Sequence, residues 1–331
     1  MNKRPFGQTG LLVTPMGLGL AALGRPGYIN LGHAEDLGVT YAVEAMEAQT
    51  HTVLDAAWTG GIRYFDAARS YGRAEQFLGS WLGRRNLTQE EIVVGSKWGY
   101  TYTANWQVEA EKHEVKEHSL PVLQRQIQES QELLGSYLRL YQVHSATLSS
   151  GILENKTVLA ELARLKADGL QIGLSLSGVE QTETLRQALQ VTVDGRPLFS
   201  AVQATWNLLE PSAGAALQEA HEAGWGIIVK EAVANGRLTP RNEDPSFALQ
   251  RQLLQGVAGE LGATVDALAL AAVLAQPWCS IVLSGAATVA QLQANLRAAQ
   301  ITLDSGVLAE LAQLAEPPEQ YWQTRSNLPW N

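Results

Sequence analysis

The feature that most constrains this chain is an alternation of eight short apolar runs with longer segments of helical periodicity. The candidate strands are Met16–Leu20, Arg63–Phe65, Ile92–Ser96, Leu138–Val143, Gly169–Leu174, Ala201–Gln203, Trp225–Val229 and Ser280–Leu283. Most are short and flanked by Gly or polar residues, as parallel strands buried on both faces are. Helical periodicity covers Glu44–Thr59, Ala74–Arg84, Leu120–Leu134, Thr157–Asp168, Glu180–Val191 and Ala213–Ala223. It resumes over Pro245–Leu261, Val265–Ala275, Val289–Ala299 and Ser305–Ala315, the last stopped by Pro317-Pro318. This β/α count over 331 residues predicts a single (βα)8 TIM barrel spanning 1–331. An open dinucleotide-binding sheet would need G-x-G-x-x-G after the first strand. Gly17 and Gly19 begin such a turn, but the third glycine is displaced and no capped helix follows.

Around this frame, Arg4–Thr14 reads as a hairpin turning at Gln8-Thr9-Gly10. Segments 24–43 and 98–119 are long for barrel loops and follow the first and third strands, so they are expected on the substrate side. The tail, 317–331, carries Tyr321, Trp322 and Trp330, and either folds over the pocket or docks on the surface.

Composition excludes several classes. With 46% apolar residues the chain can build a large core. Its net charge is −9 and it has no basic run, which argues against nucleic-acid and anionic-membrane surfaces. There is no apolar stretch of about 20 residues and no signal-peptide core, so a cytoplasmic protein is expected, a monomer or small homo-oligomer acting on a small molecule. The lone Cys279 permits no intramolecular disulfide and reads as a buried strand thiol. No metal is expected.

The chemistry sits at strand ends. The second strand runs into Asp66, followed by Tyr71-Gly72; the third ends at Lys97; the fourth ends at His144. Singly, each has a structural reading: an Asp helix cap, a Tyr-Gly turn, a Lys ion pair, a loop His. Together, consecutive strands deliver ionisable groups to one rim. A Lys–Asp pair beside the tyrosine would favour phenolate and lower its pKa from about 10. Such a tyrosine can protonate a carbonyl oxygen as hydride reaches the carbon, while the histidine orients that oxygen.

These segments resemble the aldo-keto reductase superfamily, whose Asp-x-x-x-x-Tyr-Gly element and strand-end Lys and His match Asp66, Tyr71-Gly72, Lys97 and His144. The opening Phe6-Gly7-Gln8-Thr9-Gly10 through Gly17-Leu18-Gly19 also resembles the family's hairpin and first strand. The resemblance runs from about Arg4 to Ala315 and implies a nicotinamide cofactor, NADP(H) first and NAD(H) close behind.

It further implies cofactor contacts at Gly19, at Ser175 and at Gln203, the last a partner for the carboxamide. Leu176 stands where the family has Asn. The loop after the seventh strand brings Lys230, Glu231 and Ala232, ending in Gly236-Arg237-Leu238. Lys230 stands where a Tyr usually stacks on nicotinamide; it is expected on the pyrophosphate or ribose, or else paired with Glu231 or Glu210. Ser284-Gly285-Ala286 and the following helix, with Gln291 and Asn295, match the adenosine-phosphate element. Gly285 and Gln291 replace the Lys and Arg that usually hold a 2′-phosphate. Trp98, Tyr100 and Trp106 are candidate substrate-wall residues, suited to apolar or ring-bearing carbonyls, or else loop anchors; Tyr102 shares their loop. Two rivals remain: a Schiff-base aldolase with Lys97 as nucleophile, and a cofactor-binding regulatory subunit with little turnover.

Overall fold

The structure is a computed structural model, and it describes residues 1–38 and 41–331. Among them, eight parallel strands close a barrel: Met16–Gly19 (β1), Tyr64–Asp66 (β2), Val93–Trp98 (β3), Leu138–Ala146 (β4), Gln171–Leu176 (β5), Ala201–Thr205 (β6), Gly226–Lys230 (β7) and Ile281–Ser284 (β8). Neighbours in sequence are neighbours in space, and β8 pairs with β1 through Leu283 and Gly17. All eight expected strands are present, with ends displaced by a few residues. The fold is the TIM barrel that the alternation predicts.

Strand side chains point alternately to the barrel axis and to the helix layer. On β2, Phe65 faces outward and lies 5.5 Å from the Trp81 ring. Tyr64 and Asp66 face inward. Ile228, Ile281, Leu140 and Ala201 share an inner cluster with Tyr64. Phe6 and Val13, fully buried, plug this cluster from the N-terminal hairpin, which pairs Arg4–Pro5 with Leu12–Val13. The larger core lies between strands and helices, where Leu18, Val94 and Ile172 pack in one cluster with Leu54, Leu78 and Leu162.

Four segments hold more structure than expected. Segment 98–119 forms a hairpin, pairing Tyr100–Tyr102 with Glu114–Lys116. A second hairpin, Thr192–Val193 with Arg196–Pro197, turns at Asp194-Gly195, both with positive φ. The tail contains a helix, Pro318–Ser326. Segment 24–43 carries a short helix, His33–Leu37, and its residues 39 and 40 lie outside the described residues. Among the described residues no single helix is long and apolar enough to cross a membrane.

Candidate active site

The inward alternation stacks the site in layers. Above the apolar inner cluster sit Asp66, Gln142 and Gln203; above these sit Lys97, His144, Thr205 and Lys230, each two residues further along its strand or on a neighbouring strand. Asp66 and Lys97 are both buried and form an ion pair. Lys97 Nζ also donates to the Ala67 carbonyl at 2.9 Å and lies 3.3 Å from Tyr71 Oη. Asp66 Oδ1 accepts from Gln203 Nε2 at 2.9 Å, Tyr64 Oη at 3.2 Å and Gln142 Nε2 at 3.4 Å. A buried charge pair is tolerable only when so surrounded by partners.

Tyr71 is held by a close crossing of two loops. Gly72 has φ +57°, and a Cβ there would strike the Gly24 carbonyl; a Cβ on Gly24 would strike the Tyr71 carbonyl and Ala74. Arg25, next to Gly24, then lies 5.3 Å from the Tyr71 ring, with Nη1 donating to Ser70 O and Glu114 Oε2, each at 3.1 Å. Against expectation, the Tyr71 hydroxyl titrates well above its ordinary range. Burial is the main cause, and the Asp66 carboxylate adds to it; Arg25 only partly offsets them. Lys97 is already paired with Asp66, so its charge does not act on Tyr71 alone.

His144 is brought to the same rim by an irregularity. The β4–β5 register shifts between Val143 and Ala146, and Ser145 has φ +50°. The His144 ring meets Tyr71 edge-on at 5.5 Å and Tyr100 at 4.9 Å. Its Nδ1 lies 3.4 Å from Ser70 Oγ. Burial, then Lys97 and Arg25, holds its pKa well below the usual 6.5, so the ring is neutral at pH 7.

Opposite His144, Lys230 Nζ donates to Thr205 Oγ1 at 2.7 Å and lies 3.5 Å from Glu231 Oε1. This bears out the Glu231 pairing; Glu210 instead bonds Gln181 and Ser212. Glu231 has φ +57° and accepts two hydrogen bonds from Arg325 Nε, at 3.0 and 2.9 Å, and one from Nη2 at 2.6 Å. Burial raises the Glu231 pKa, but Arg325 and Lys230 together overcome it and hold the group at about 2. Burial lowers Lys230 to about 8.

Arg325 belongs to the tail helix, so the tail closes over the barrel mouth. Trp330 stacks on His113 at 3.8 Å and covers Arg25 at 4.9 Å. Asn331 exchanges backbone bonds with Tyr28 and accepts from the His33 backbone amide at 2.9 Å. Beneath lies a cavity of about 310 Å³ lined by Gly19, Tyr71, His144, Gln203, Lys230, Glu231 and Ala232, among others. Ser145, Glu231 and Asn235, all with positive φ, line it too, and such strain concentrates where geometry is functional.

A second concavity, about 330 Å³, abuts the first at Asn30, Val233 and Gly285. Gly236, Ala286, Gln291 and Asn295 line it. Thr288 and Gln291 cap the helix Val289–Leu296 in a reciprocal box. Gln291 Nε2 donates to Asp36 Oδ2 at 2.8 Å, and Asp36 is ion-paired with Arg241. Asn295 Nδ2 donates to Ser284 Oγ at 2.9 Å.

Not every expected residue reaches these cavities. Ser175 is buried behind the first, its Oγ accepting from Ser145 N at 2.8 Å. Leu238 is fully buried in the cluster with Phe247 and Leu268, because the loop's Gly-x-Leu ending turns it into the core. Trp98 does not form a substrate wall; it is fully buried in the main core, as the outward neighbour of inward Lys97. Trp106 is a loop anchor: its Nε1 donates to Tyr41 O at 2.6 Å, and its ring packs edge-on against Phe77. Tyr100 alone of the three stands beside His144. Trp330 lines the first cavity, the first of the two placements expected of the tail, whereas Arg25, Asp36, Glu114, Arg241 and Arg325 were not foreseen as site residues. Each comes from a loop or the tail and carries no motif.

The family comparison agrees with this geometry. The model of the aldo/keto reductase family matches residues 15–316. An aldo-keto reductase from Strobilurus tenacellus, str7, is 28% identical over 96% of this chain and 92% of its own length. The NADH-specific methylglyoxal reductase of Escherichia coli is 24% identical over 96% of this chain and all of its own. The holo form of the Bacillus halodurans aldo-keto reductase AKR11C1 superposes with a TM-score of 0.75 over 97% of this chain and 99% of its own, at 21% identity, a likeness of fold. By the match across nearly its whole length, the chain belongs to the aldo/keto reductase family of nicotinamide-dependent oxidoreductases.

Proposed function

We propose that the protein reduces an aldehyde or ketone to an alcohol, with alcohol oxidation as the same site run in reverse. The observation that carries this is Tyr71 Oη, 3.3 Å from the Lys97 ammonium that Asp66 holds, with His144 edge-on beside it in the lining of one cavity. Burial keeps the proton on Tyr71 at neutral pH, as a general acid requires. As charge builds on the carbonyl oxygen, Tyr71 donates that proton, and Lys97 stabilises the phenolate left behind. In the tautomer whose Nδ1 accepts from Ser70 Oγ, His144 carries its proton on Nε2 and can donate to the same oxygen.

A bound nicotinamide cofactor would supply the hydride. The abutting cavities fit an extended dinucleotide, and Asn235 Oδ1, on the wall of the first, is buried without a partner among the described residues. Gly19, Gln203, Lys230, Glu231 and Ala232 would hold the nicotinamide end; Gly236, Gly285, Ala286, Gln291 and Asn295 would hold the adenosine. The assay is NADH and NADPH oxidation with a panel of carbonyls, beside Tyr71→Phe. Undiminished turnover in Tyr71→Phe sinks the mechanism. Lys97 is fully engaged by Asp66, Ala67 and Tyr71, which speaks against an aldolase nucleophile.

For the choice of cofactor, the pairing of Asp36 supports NAD(H), where the resemblance puts NADP(H) first and NAD(H) close behind. Its buried carboxylate bonds Gln291, where relatives carry Arg, and neutralises Arg241. By pairing with Arg241, which lines the second concavity, Asp36 neutralises a cation that would otherwise favour a 2′-phosphate. NADH binding more tightly than NADPH, with Asp36→Ser narrowing the gap, is the expected titration; NADPH binding at least as well as NADH in the wild type overturns it.

A further inference from the structure

Lys230 places a partly buried ammonium on the wall of the cavity, and nothing in the proton chemistry above uses its charge. We propose that Lys230 makes the site discriminate between redox states of the cofactor, holding the neutral dihydronicotinamide form more tightly than the cationic nicotinamidium form. This rests on the reading that a nicotinamide cofactor occupies the cavity. Hydride destined for a carbonyl held by Tyr71 and His144 must start within that cavity, so the ring that carries it shares the cavity with Lys230.

The charges around it do not cancel. Lys97 is balanced by Asp66, and Arg25 by Glu114. That leaves Lys230, Glu231 and Arg325, with one net positive charge. Glu231 is committed to Arg325 through three contacts of 2.6 to 3.0 Å, whereas Lys230 Nζ stands 3.5 Å from it. The uncompensated charge therefore belongs mainly to Lys230, whose remaining bond is to the neutral Thr205 hydroxyl at 2.7 Å. Burial brings its pKa down to about 8, so at pH 7 the side chain is still mostly charged. His144 is neutral and Tyr71 protonated at that pH, so neither offsets it.

The two redox states differ by one positive charge on the ring and share the rest of the molecule. Any contact of Lys230 with pyrophosphate or ribose thus contributes equally to both and drops out of their ratio. What survives is repulsion between ammonium and nicotinamidium. At the effective dielectric of a partly buried site, about 20, two like charges several Å apart change an equilibrium by roughly tenfold or more. A reductase gains from this by loading with reduced cofactor from a mixture of both forms.

The test is equilibrium binding of NADH and of NAD+ at pH 7, followed by quenching of tryptophan fluorescence, in wild type, Lys230→Met and Lys230→Arg. Folding of each variant is checked by its thermal melt. The ratio of the NAD+ to the NADH dissociation constant is expected to fall about tenfold in Lys230→Met and to stay near wild type in Lys230→Arg. Both forms binding Lys230→Met with the wild-type ratio overturns the inference and leaves the functional reading standing. If Lys230→Met does not fold, a wild-type ratio in Lys230→Gln overturns it equally. Absence of binding of NADH, NAD+, NADPH and NADP+ to wild type overturns both together.

Discussion

Removing Arg325 should unlatch the tail from the barrel mouth at a calculable cost. In Arg325→Leu, Glu231 keeps Lys230 at 3.5 Å and Thr205 at 3.3 Å but loses the guanidinium that bonds both its oxygens. The Glu231 carboxyl lies at about 2 in the folded protein against 4.5 without the fold, a difference worth about 3 kcal/mol at 1.36 kcal/mol per unit, with Arg325 its largest favourable cause ahead of Lys230 and Thr205. Breaking a buried pair from one side typically costs about 3–5 kcal/mol, which agrees. At about 2.1 cal/mol/K per residue, 331 residues unfold with roughly 0.7 kcal/mol/K, so about 3 kcal/mol lowers Tm by about 4 °C. The pH dependence has a definite sign. Because the folded pKa is depressed, the contribution is complete above pH 4.5 and is lost as pH falls towards 2. Calorimetry from pH 7 to pH 3 should therefore show the Arg325→Leu deficit shrinking with acid. Replacing Glu231 with Gln in the same chain should recover part of it, with a coupling of about 1.5 kcal/mol or more. A Tm within 1 °C of wild type at pH 7, or a deficit that does not change with pH, refutes the reasoning.

Lys97→Met should cost about 3–5 kcal/mol in denaturant titrations, because Asp66 stays buried beside amide and phenol donors alone; a loss below 1 kcal/mol would mean the pair is dispensable to the fold. The pH profile of kcat/KM for reduction should carry no inflection near 6.5, since His144 stays neutral well below it; an inflection there that vanishes in His144→Gln would contradict this. Trp106→Leu should lower Tm while leaving the relative kcat/KM for aliphatic and aromatic carbonyls unchanged, and Tyr100→Leu should shift that ratio; the reverse result would restore Trp106 to the substrate wall.

The barrel was legible because two periodicities agree along the chain, and both are local. A run such as Val93–Trp98 between polar residues declares a buried strand without reference to its partners. The elements that escaped notice lack that signal. The hairpin Tyr100–Lys116 joins three-residue strands, half-exposed on one and largely exposed on the other, across an irregular turn, so neither shows a usable alternation. The Pro318–Ser326 helix has no apolar stripe, because it is packed by Tyr321 and Trp322 at adjacent positions and by the Arg325 ion pair. The turn at Asp194-Gly195 was different: a dipeptide that accepts positive φ at both residues is a readable hairpin signal.

The same distinction explains what could be read of the site. Asp66, Lys97 and His144 project inward because they lie in step with Tyr64, Gly95 and Leu140 on their own strands, so local parity places them. Parity also explains the error at Trp98: adjacent to an inward lysine, it has to point outward, and counting by twos along β3 would have removed it from the cavity wall. Residues from loops obey no such rule. Asp36 reaches Arg241 across 205 positions, and Arg325 reaches Glu231 across 94, joined by charge alone once the barrel has brought their loops to one face. Charges of opposite sign are scattered throughout the sequence, so nothing local marks these pairs. The part of the site that the barrel dictates is therefore the proton chemistry at its axis. The part that selects what enters is assembled from loop and tail residues, where closure over the mouth decides which charges remain unpaired, as at Lys230.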